Sequence, residues 1–195
     1  MGSSIRRRDA GTRDILKFAP TALAGVFIVE PEMHHDARGF FARTFDAQAF
    51  GAQGLADRFD QQSIAYNARA GTIRGLHYQV RPHGESKLVR ATRGALYDVA
   101  VDLRADSPTF GRWVGVRLDD ENRLALYIPQ GLAHGYQTLQ DDTEALYLIA
   151  GAYAPQSARG VRFDDPALGI AWPREVTALS NADSAWPTLD EATLP

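Results

Sequence analysis

Apolar and polar residues alternate in short runs along most of the chain. Between residues 95 and 103, Val99 and Val101 share one side with the aromatic Tyr97, while Asp98 and Asp102 fall on the other. This period-2 pattern predicts a half-buried β-strand. Because Arg93-Gly94 separates that run from another at 87–92, the two are expected to form a hairpin. Further runs that predict strands, each bounded by turn residues, lie at 24–29, 113–118, 123–128, 135–139 and 144–150.

Helical patterns are few. Residues 46–55 predict one short helix that Asp46 can cap, although Gly51 and Gly54 limit its length. Beyond residues 153–155 the chain is rich in Pro, Asp and Trp, and is expected to wrap the strands with a few short helices. Short strands without intervening helices indicate a mainly β fold, an antiparallel sandwich or barrel. We expect one domain over residues 14–195, preceded by a poorly ordered tail at 1–13.

Composition excludes several classes of protein. The chain has 195 residues, 45% hydrophobic and 23% charged, which suits a folded domain with its own core. A net charge of −3 gives no general attraction to nucleic acid or anionic membranes. No stretch reaches the ~18 apolar residues of a membrane helix, and the basic N-terminus lacks the apolar segment of a secretory signal. The chain is therefore predicted to be cytoplasmic.

The absence of cysteine excludes disulfides, thiolate metal sites and thiol nucleophiles, so the histidines are the main candidates for chemistry. The spacing Pro129-x-Gly131-x-x-His134 resembles the second motif of cupin barrels, in which the histidine binds metal. A metal cupin would need His77, Glu85 and His134, yet Glu85 fits the expected spacing poorly. The fourth ligand would be Gln79, and an amide is a weak ligand for divalent metals. The five histidines are His34, His35, His77, His83 and His134.

Other interpretations of these residues need no metal. The histidines could simply be hydrogen-bonded inside a barrel, or one could act as a general base oriented by a carboxylate. Of the 21 basic residues only Lys17 and Lys87 are lysines, which sets Lys87 apart from an otherwise arginine-rich chain. Lysine is a compact donor that can point at a single oxygen, but Lys87 could also be an ordinary strand-edge residue. Tyr147, inside an apolar run, could be an acid or a packed aromatic.

Seven motifs in fixed order, spanning about residues 25 to 186, resemble the dTDP-4-dehydrorhamnose 3,5-epimerase family, a metal-independent branch of the cupins. Each motif is weak alone, but their order and spacing are specific. They are Asp36-Ala37-Arg38-Gly39-Phe40-Phe41, Ile73-Arg74-Gly75-Leu76-His77-Tyr78-Gln79, Lys87-Leu88-Val89-Arg90, Tyr97-Asp98-Val99-Ala100-Val101-Asp102-Leu103-Arg104, Ser107-Pro108-Thr109-Phe110-Gly111-Arg112-Trp113, Ile128-Pro129-Gln130-Gly131-Leu132-Ala133-His134-Gly135 and Gly169-Ile170-Ala171-Trp172-Pro173.

The resemblance implies an antiparallel jelly-roll barrel that inverts the carbons flanking the ketone of a nucleotide-linked 4-keto-6-deoxyhexose, without a cofactor. His77 would remove the proton next to the ketone, oriented by Asp183 of the stretch Leu179-Ser180-Asn181-Ala182-Asp183. Lys87 would stabilise the enolate oxygen, as fixed cationic groups do. Tyr147 would deliver a proton from the opposite ring face.

The resemblance also implies residues that bind the substrate. Arg74 and His134 would assist around the ketone oxygen or a phosphate, and Asp98 would lie close to the base or be a buried strand carboxylate. Family dimers exchange N-terminal strands, here including the run near 26–29, and bring a residue matching Arg38 to the nucleotide end of the neighbouring subunit. The complete set of expected substrate-binding residues is Arg74, His134, Arg38, Phe41, Gln62, Asp98 and Tyr153.

Two departures from the family pattern concern the nucleotide. The family commonly has a glutamate after the Gly-Phe-Phe run, where this chain has Arg43, and an asparagine where this chain has Ile64. Because isoleucine cannot hydrogen-bond a base or phosphate, CDP- or GDP-linked sugars stand beside dTDP as expected carriers. A mono-epimerase, a non-catalytic sugar-nucleotide-binding jelly roll and a metal cupin are the alternative functions.

Overall fold

The computed structural model describes residues 15–195, and the predicted tail at 1–13 lies outside them. Short strands make up most of the regular secondary structure in the described chain. A 3-10 turn, Pro155–Ser157, accompanies two α-helices, α1 (Ala47–Ala52) and α2 (Asn181–Ser184). The strands are β1 (Leu16–Pro20), β2 (Phe27–Pro31), β3 (Met33–Asp36), β4 (Gly39–Ala42), β5 (Gln61–Asn67), β6 (Ile73–Gln79), β7 (Ser86–Arg93), β8 (Ala95–Asp102), β9 (Trp113–Asp119), β10 (Ala125–Ile128), β11 (Leu132–Thr138), β12 (Thr143–Ala150) and β13 (Ala158–Gly160).

Two antiparallel sheets pack against each other. One has the order β1-β2-β10-β7-β12-β5, the other the order β13-β6-β11-β8-β9, and β3 and β4 form a separate hairpin. Apolar side chains from both sheets meet in the central core, among them Val89 and Ile128 from the first and Ala100 and Tyr136 from the second. The predicted antiparallel jelly-roll barrel is thereby confirmed.

The outer faces of both sheets are also covered in part. On the five-stranded sheet, Val99 and Val101 pack beneath the C-terminal segment, which contributes Leu168 and Trp172. At one end of the six-stranded sheet, Phe50 of α1 packs against strand residues such as Tyr127. The apolar core therefore has three parts, one between the sheets and one on the outer face of each sheet. Helices contribute few residues to it.

The predicted hairpin between residues 87–92 and 95–103 is wrong. β7 pairs with β10 and β12 in the six-stranded sheet, whereas β8 pairs with β9 and β11 in the other. Gly94 carries the chain from one sheet to the other with a φ of +69°, and a Cβ there would lie 2.5 Å from Thr143 Oγ1. A glycine in the left-handed region suits such a crossing as well as it suits a hairpin turn.

The half-buried character predicted for residues 95–103 is wrong too, because β8 is buried on both faces. Asp98 and Asp102 are fully buried on the side expected to face solvent. Burial alone would raise the pKa of the Asp102 carboxyl, but hydrogen bonds from Arg104, Ser107 and Thr109 outweigh it and hold that pKa below its ordinary value. A polar face of a strand can thus be buried where other groups of the protein hydrogen-bond to its side chains.

A capping side chain starts each of the two α-helices, and the cap of α1 is the predicted one. The Asp46 side chain accepts a hydrogen bond from Ala49 N and caps α1, which ends at Ala52, three residues before the predicted end. The second helix, α2, begins after Ser180, whose side chain accepts from the backbone of Asp183. None of the helices in the described part of the chain is long and apolar enough to cross a membrane.

Candidate active site

A cavity of about 370 Å³ opens between the two sheets, and we call it the inter-sheet cavity. Many of the residues predicted at separate points of the sequence converge here, since six strands and three loops supply its lining. The lining residues are Ser63, Arg74, His77, Tyr78, Gln79, Glu85, Lys87, His134, Tyr147, Ile149, Tyr153, Ala158, Arg159 and Trp186.

His77, on β6, forms a hydrogen-bonded dyad with Asp183. The distance from His77 Nε2 to Asp183 Oδ1 is 2.5 Å, and the imidazole is 44% exposed while the carboxylate is 8% exposed. Trp186 Nε1 donates to the same carboxylate oxygen at 3.3 Å. Because the carboxylate accepts at Nε2, that nitrogen carries the proton and Nδ1 keeps its lone pair. The histidine can therefore act as a base towards the cavity.

The electrostatics of Asp183 favour this role. Burial raises the pKa of the Asp183 carboxyl, but the hydrogen bond and charge of His77, together with Ser180 and Trp186, outweigh it and lower the pKa below its usual 3.8. The carboxylate is therefore ionised at neutral pH and stabilises a positive charge on His77. An imidazole that has just taken a proton carries that charge.

Lys87 lies next to the dyad on the opposite sheet. Its Nζ is 2.9 Å from Glu85 Oε1, and it donates to the backbone oxygen of His77 at 3.3 Å. The side chain of Lys87 is 9% exposed and lines the cavity. The structure thus places the Lys87 amino group beside the predicted base.

Tyr147 enters the cavity from β12, so it belongs to the sheet opposite that of His77. Its ring packs edge-on against His134, with centroids 5.8 Å apart. Burial, followed by the neighbouring Tyr136 hydroxyl and the Asp98 charge, raises the pKa of the Tyr147 phenol well above 10.0. The hydroxyl is consequently protonated at neutral pH, which an acid requires.

A second histidine–carboxylate pair lies deeper. His134 Nε2 is 2.8 Å from Asp98 Oδ1, with both side chains almost fully buried. Asp98 Oδ2 has no hydrogen-bond partner among the described residues. Arg74 lies nearby on β6, and its Nε donates to Asn67 Oδ1 at 2.8 Å. Arg74 and His134 both line the cavity, and their role in binding substrate stays a prediction.

The donor set does not fit a metal cupin. His77 and His134 each direct Nε2 at an aspartate of their own rather than at a shared point. The Gln79 amide accepts from Ala154 N and donates to Glu85 and to backbone oxygens, so it serves the fold. Over residues 15–195, the His, Asp and Glu side chains form no cluster of three that could hold a metal ion.

The remaining predicted residues divide into two groups. Tyr153 lines the mouth of the cavity and is 63% exposed. Outside the cavity, Arg38 pairs with Asp36 in the β3–β4 turn, Phe41 on β4 is 70% exposed, and Gln62 lies on the exposed side of β5. The roles of these three stay predictions, because this chain's own cavity does not include them.

Two neighbours of the dyad and of Lys87 were missed from sequence. Glu85 was considered only as a metal ligand, although its position two residues before Lys87 puts both on one face of an extended segment. Trp186 follows Asp183 by three residues, a helical spacing that brings its indole to the same carboxylate. Both signals were present in the sequence, and neither names a partner by itself.

Comparison with known proteins identifies relatives along almost the whole chain. The pattern of the dTDP-4-dehydrorhamnose 3,5-epimerase family matches residues 20–191. A protein of that name from Sinorhizobium fredii is 43% identical over 180 residues, covering 91% of this chain and 92% of its own. A dTDP-4-dehydrorhamnose 3-epimerase from Streptomyces niveus is 38% identical over 178 residues, covering 91% and 86%.

A solved structure agrees with the fold as well. The dTDP-6-deoxy-D-glucose-3,5-epimerase of Legionella pneumophila, in complex with dTDP-4-keto-L-rhamnose, superposes with a TM-score of 0.84. The two sequences are 37% identical, and the match covers 90% of this chain and 94% of that one. The same sheet architecture therefore surrounds a bound nucleotide-linked ketosugar in that relative.

Proposed function

Because the chain belongs to the dTDP-4-dehydrorhamnose 3,5-epimerase family, we propose that it inverts C3 and C5 of dTDP-4-dehydro-6-deoxyglucose to give dTDP-4-dehydrorhamnose. The observation that carries the proposal is the position of a base and an acid on opposite sheets of one cavity. His77, which is hydrogen-bonded to the Asp183 carboxylate, lies on β6, and Tyr147 lies on β12. Inversion requires a proton to leave one face of the ring and another to arrive at the opposite face.

The first step is removal of the proton next to the C4 ketone. His77 Nδ1 has the lone pair to accept it, since Asp183 holds the proton of the other ring nitrogen. The electron pair of the broken C–H bond forms a double bond to C4, and the ketone oxygen takes the negative charge of the enolate. Asp183 then stabilises the imidazolium, as a buried carboxylate does when it orients a catalytic histidine.

The enolate oxygen develops negative charge at C4, and Lys87 is the cation placed to stabilise it. Its Nζ lies within hydrogen-bond distance of the His77 backbone oxygen, so the ammonium and the base belong to one compact group. Arg74 and His134, from the same cavity wall as His77, assist around that oxygen or a phosphate. A preorganised donor of this kind contributes about 3–4 kcal/mol to lowering a barrier.

The second step returns a proton from the opposite face. Tyr147 is protonated at neutral pH, and burial raises the pKa of its hydroxyl still further above its usual 10.0. Donation to the enolate carbon restores the ketone with inverted configuration. Before the second inversion His77 gives its proton to water and Tyr147 takes one from water, so both return to their starting protonation states. The same residues then repeat the sequence at the second carbon after the ring changes its orientation, and the product differs from the substrate only in stereochemistry.

The two departures from the family pattern do not touch the cavity of this chain. Arg43 forms an ion pair with Asp46 at 2.9 Å, where it supports the start of α1. Ile64 is 62% exposed on the outer side of β5. With dTDP in the names of both relatives and in the Legionella pneumophila complex, dTDP is the carrier we propose for this chain, ahead of CDP or GDP.

We further propose a homodimer in which the β3–β4 hairpin reaches the partner subunit. Phe41 on that hairpin is 70% exposed, and Ile64 and Tyr66 on the edge strand β5 are 62% and 51% exposed. β2 is hydrogen-bonded to β10 of its own chain, which leaves the hairpin as the part free to exchange. Arg38 at its tip would then meet the nucleotide in the partner's cavity. The cytoplasmic location stays a prediction from sequence.

Incubation with dTDP-4-keto-6-deoxyglucose in deuterated water tests the function, with mass spectrometry to count deuterium and NMR to locate it. Two deuterium atoms, at C3 and C5, are the expected result. His77→Ala should incorporate none, while its far-UV circular dichroism spectrum stays that of the folded wild type. Deuterium incorporation by the wild type with only a CDP- or GDP-linked ketosugar would refute the proposed carrier.

A mono-epimerase is the second candidate, favoured by the 38% identity to the 3-epimerase of Streptomyces niveus. It would use the same base, acid and cation, because the second inversion depends on the room that the sugar has to reorient. The deuterium experiment separates the two functions directly. One deuterium at C3 alone would establish the mono-epimerase in place of the double epimerase.

A further inference from the structure

Lys87 is an unusual cation for this protein. The chain uses arginine at 19 of its 21 basic positions, and the second lysine, Lys17, is an exposed residue of β1. Lys87 is 9% exposed, inside a cavity whose walls are strands of both sheets. Withdrawing an ammonium from water favours its neutral form unless a negative charge lies close by. The chemistry proposed for Lys87 requires the charged form.

Glu85 supplies that negative charge. Its Oε1 lies 2.9 Å from Lys87 Nζ, and its side chain is 11% exposed. Among the residues that line the inter-sheet cavity, Glu85 is the one carboxylate. Asp98 and Asp183 lie behind His134 and His77, to which they are already hydrogen-bonded.

The second oxygen of Glu85 is held by Gln79. Gln79 Nε2 donates to Glu85 Oε2 at 3.1 Å and to the backbone oxygen of His83 at 3.0 Å. Its Oε1 accepts from Ala154 N at 2.7 Å, so the amide has a single orientation. Gln79 is 3% exposed and lies on β6, the strand that also carries His77. Glu85 is therefore braced from one side while it contacts Lys87 on the other.

We propose that Glu85, braced by Gln79, is a positioning residue that keeps Lys87 charged and directed at the reacting oxygen. This inference rests on the proposed function, since it assigns a role within the same reaction. Both Glu85 oxygens are engaged, by Lys87 and by Gln79, so Glu85 itself neither takes nor gives a proton in the reaction. It acts through Lys87 rather than by contact with the substrate.

Other charged or titratable groups that line the cavity come from four strands and one loop, and none of them replaces the carboxylate. They are Arg74, His77 and Tyr78 on β6, His134 on β11, Arg159 on β13, Tyr147 on β12 of the opposite sheet, and Tyr153 in the loop after β12. Cations and neutral groups make up this set. Removal of Glu85 would leave Lys87 among them without an anion, and the ammonium would lose its proton more easily.

The chain offers a direct test because it contains only two lysines. Protein labelled with ¹³C at the lysine ε carbon gives two NMR signals, and Lys17→Arg assigns them. In Glu85→Gln, we expect the titration midpoint of Lys87 to fall by about one unit or more relative to the wild type. An unchanged midpoint in a folded Glu85→Gln protein would overturn the proposal.

A matched control exists at the other lysine. Lys17 pairs with Glu30 at 3.2 Å, with both side chains more than half exposed. Glu30→Gln makes the same chemical change beside a solvated ammonium, and the midpoint of Lys17 should shift far less. An equal shift at both lysines would mean that burial in the cavity has no special effect, and would also count against the proposal.

Kinetics provides the second readout. The deuterium-exchange activity of Glu85→Gln should fall on the alkaline side of the pH profile, and it should do so at a lower pH than the activity of the wild type. Its kcat should be reduced about tenfold or more, while its KM should change little. Glu85→Asp keeps the negative charge and should retain a Lys87 midpoint close to that of the wild type. If the wild type exchanges no deuterium with any ketosugar, the proposed function is wrong. The NMR titration of Lys87 still tests the pairing with Glu85, because it does not depend on activity.

Discussion

The five histidines of the chain differ in what their rings contact. His34 and His35 are exposed on β3, and His83 Nδ1 lies 2.9 Å from Ser157 Oγ in a loop. His77 and His134 alone each face an aspartate, and of these two only His77 is substantially exposed to the cavity. Exposure and a carboxylate partner together single out the base, and neither property can be read from the residue type.

At Tyr147, the removal of one hydroxyl separates proton abstraction from inversion. Tyr147→Phe should still exchange the C–H proton through His77, but net inversion should fall by about 10²–10⁴-fold because the acid is missing. NMR of the product in deuterated water distinguishes label with retention from label with inversion. Tyr97→Phe, on the outer face of β8, is the control and should invert normally. Undiminished inversion by Tyr147→Phe would remove Tyr147 from the acid role.

The dyad also contributes to stability in a way that depends on pH. Because the pKa of Asp183 is lower in the folded protein than its usual 3.8, the ionised carboxylate stabilises the fold above that value. This contribution is lost as pH falls through the lowered folded pKa. We therefore expect the free energy of unfolding of the wild type to decline more steeply below about pH 4 than that of Asp183→Asn.

Urea unfolding at a series of pH values measures this slope. Asp106→Asn, in a surface loop away from the dyad, serves as the control and should follow the wild type. Parallel curves for Asp183→Asn and the wild type would show that the His77 hydrogen bond does not favour the ionised carboxylate.

At the scale of elements, the crossing at Gly94 decides which sheet β8 joins. Local sequence is equally suited to a hairpin, since Arg93-Gly94 lies between two alternating runs. In the fold, β7 finds partners on both sides in one sheet, and β8 finds its own in the other. A Cβ added at position 94 would lie 2.5 Å from Thr143 Oγ1. The chain can therefore cross between the sheets at this point only if position 94 has no side chain.

Gly94→Ala should therefore destabilise the protein by more than backbone strain alone. Gly54 is a matched control, because its φ of +70° is almost that of Gly94 and nothing lies within 4 Å of an added Cβ. Gly54→Ala should cost about 1–2 kcal/mol for the left-handed backbone. Gly94→Ala should add about 1–3 kcal/mol for overpacking against Thr143. Urea unfolding of both variants measures the difference, and equal losses would contradict the steric argument.

Several large apolar side chains are exposed to solvent in the part of the chain that the structure describes. Phe41, Ile64 and Tyr66 are at least half exposed on the β3–β4 hairpin and on the edge strand β5. Monomeric proteins rarely leave large apolar patches in water, and edge strands are usually protected. Both features support the dimer proposed above.

Ile64→Asp should weaken that dimer because it places a charge in an apolar contact. Light scattering coupled to size exclusion should show the wild type at about twice the chain mass of 21.4 kDa and the variant nearer to a single chain at low concentration. Val176→Asp replaces an exposed apolar residue elsewhere and should leave the mass unchanged. A wild type that runs as a single chain would end the dimer proposal and the role of Arg38 in a partner's cavity.

The sequence by itself determined where most strands lie and supplied the candidate side chains for the proposed chemistry. Period-2 alternation marked β9, an apolar run bounded by turn residues marked β12, and the Asp46 cap marked the start of α1. These signals depend on neighbours within a few residues. The motif around His77 and the late Asp183 were identified by resemblance, although 106 positions separate them.

Only the tertiary structure decided which strands pair, which faces are buried and which charges meet. The pairing of β7 with β10 and β12, rather than with β8, depends on contacts between distant segments that no local pattern encodes. The same holds for the full burial of Asp98 and for the brace from Gln79 through Glu85 to Lys87. Periodicity reports which side of a strand is apolar, whereas burial and charge pairing depend on what the folded chain places against that side.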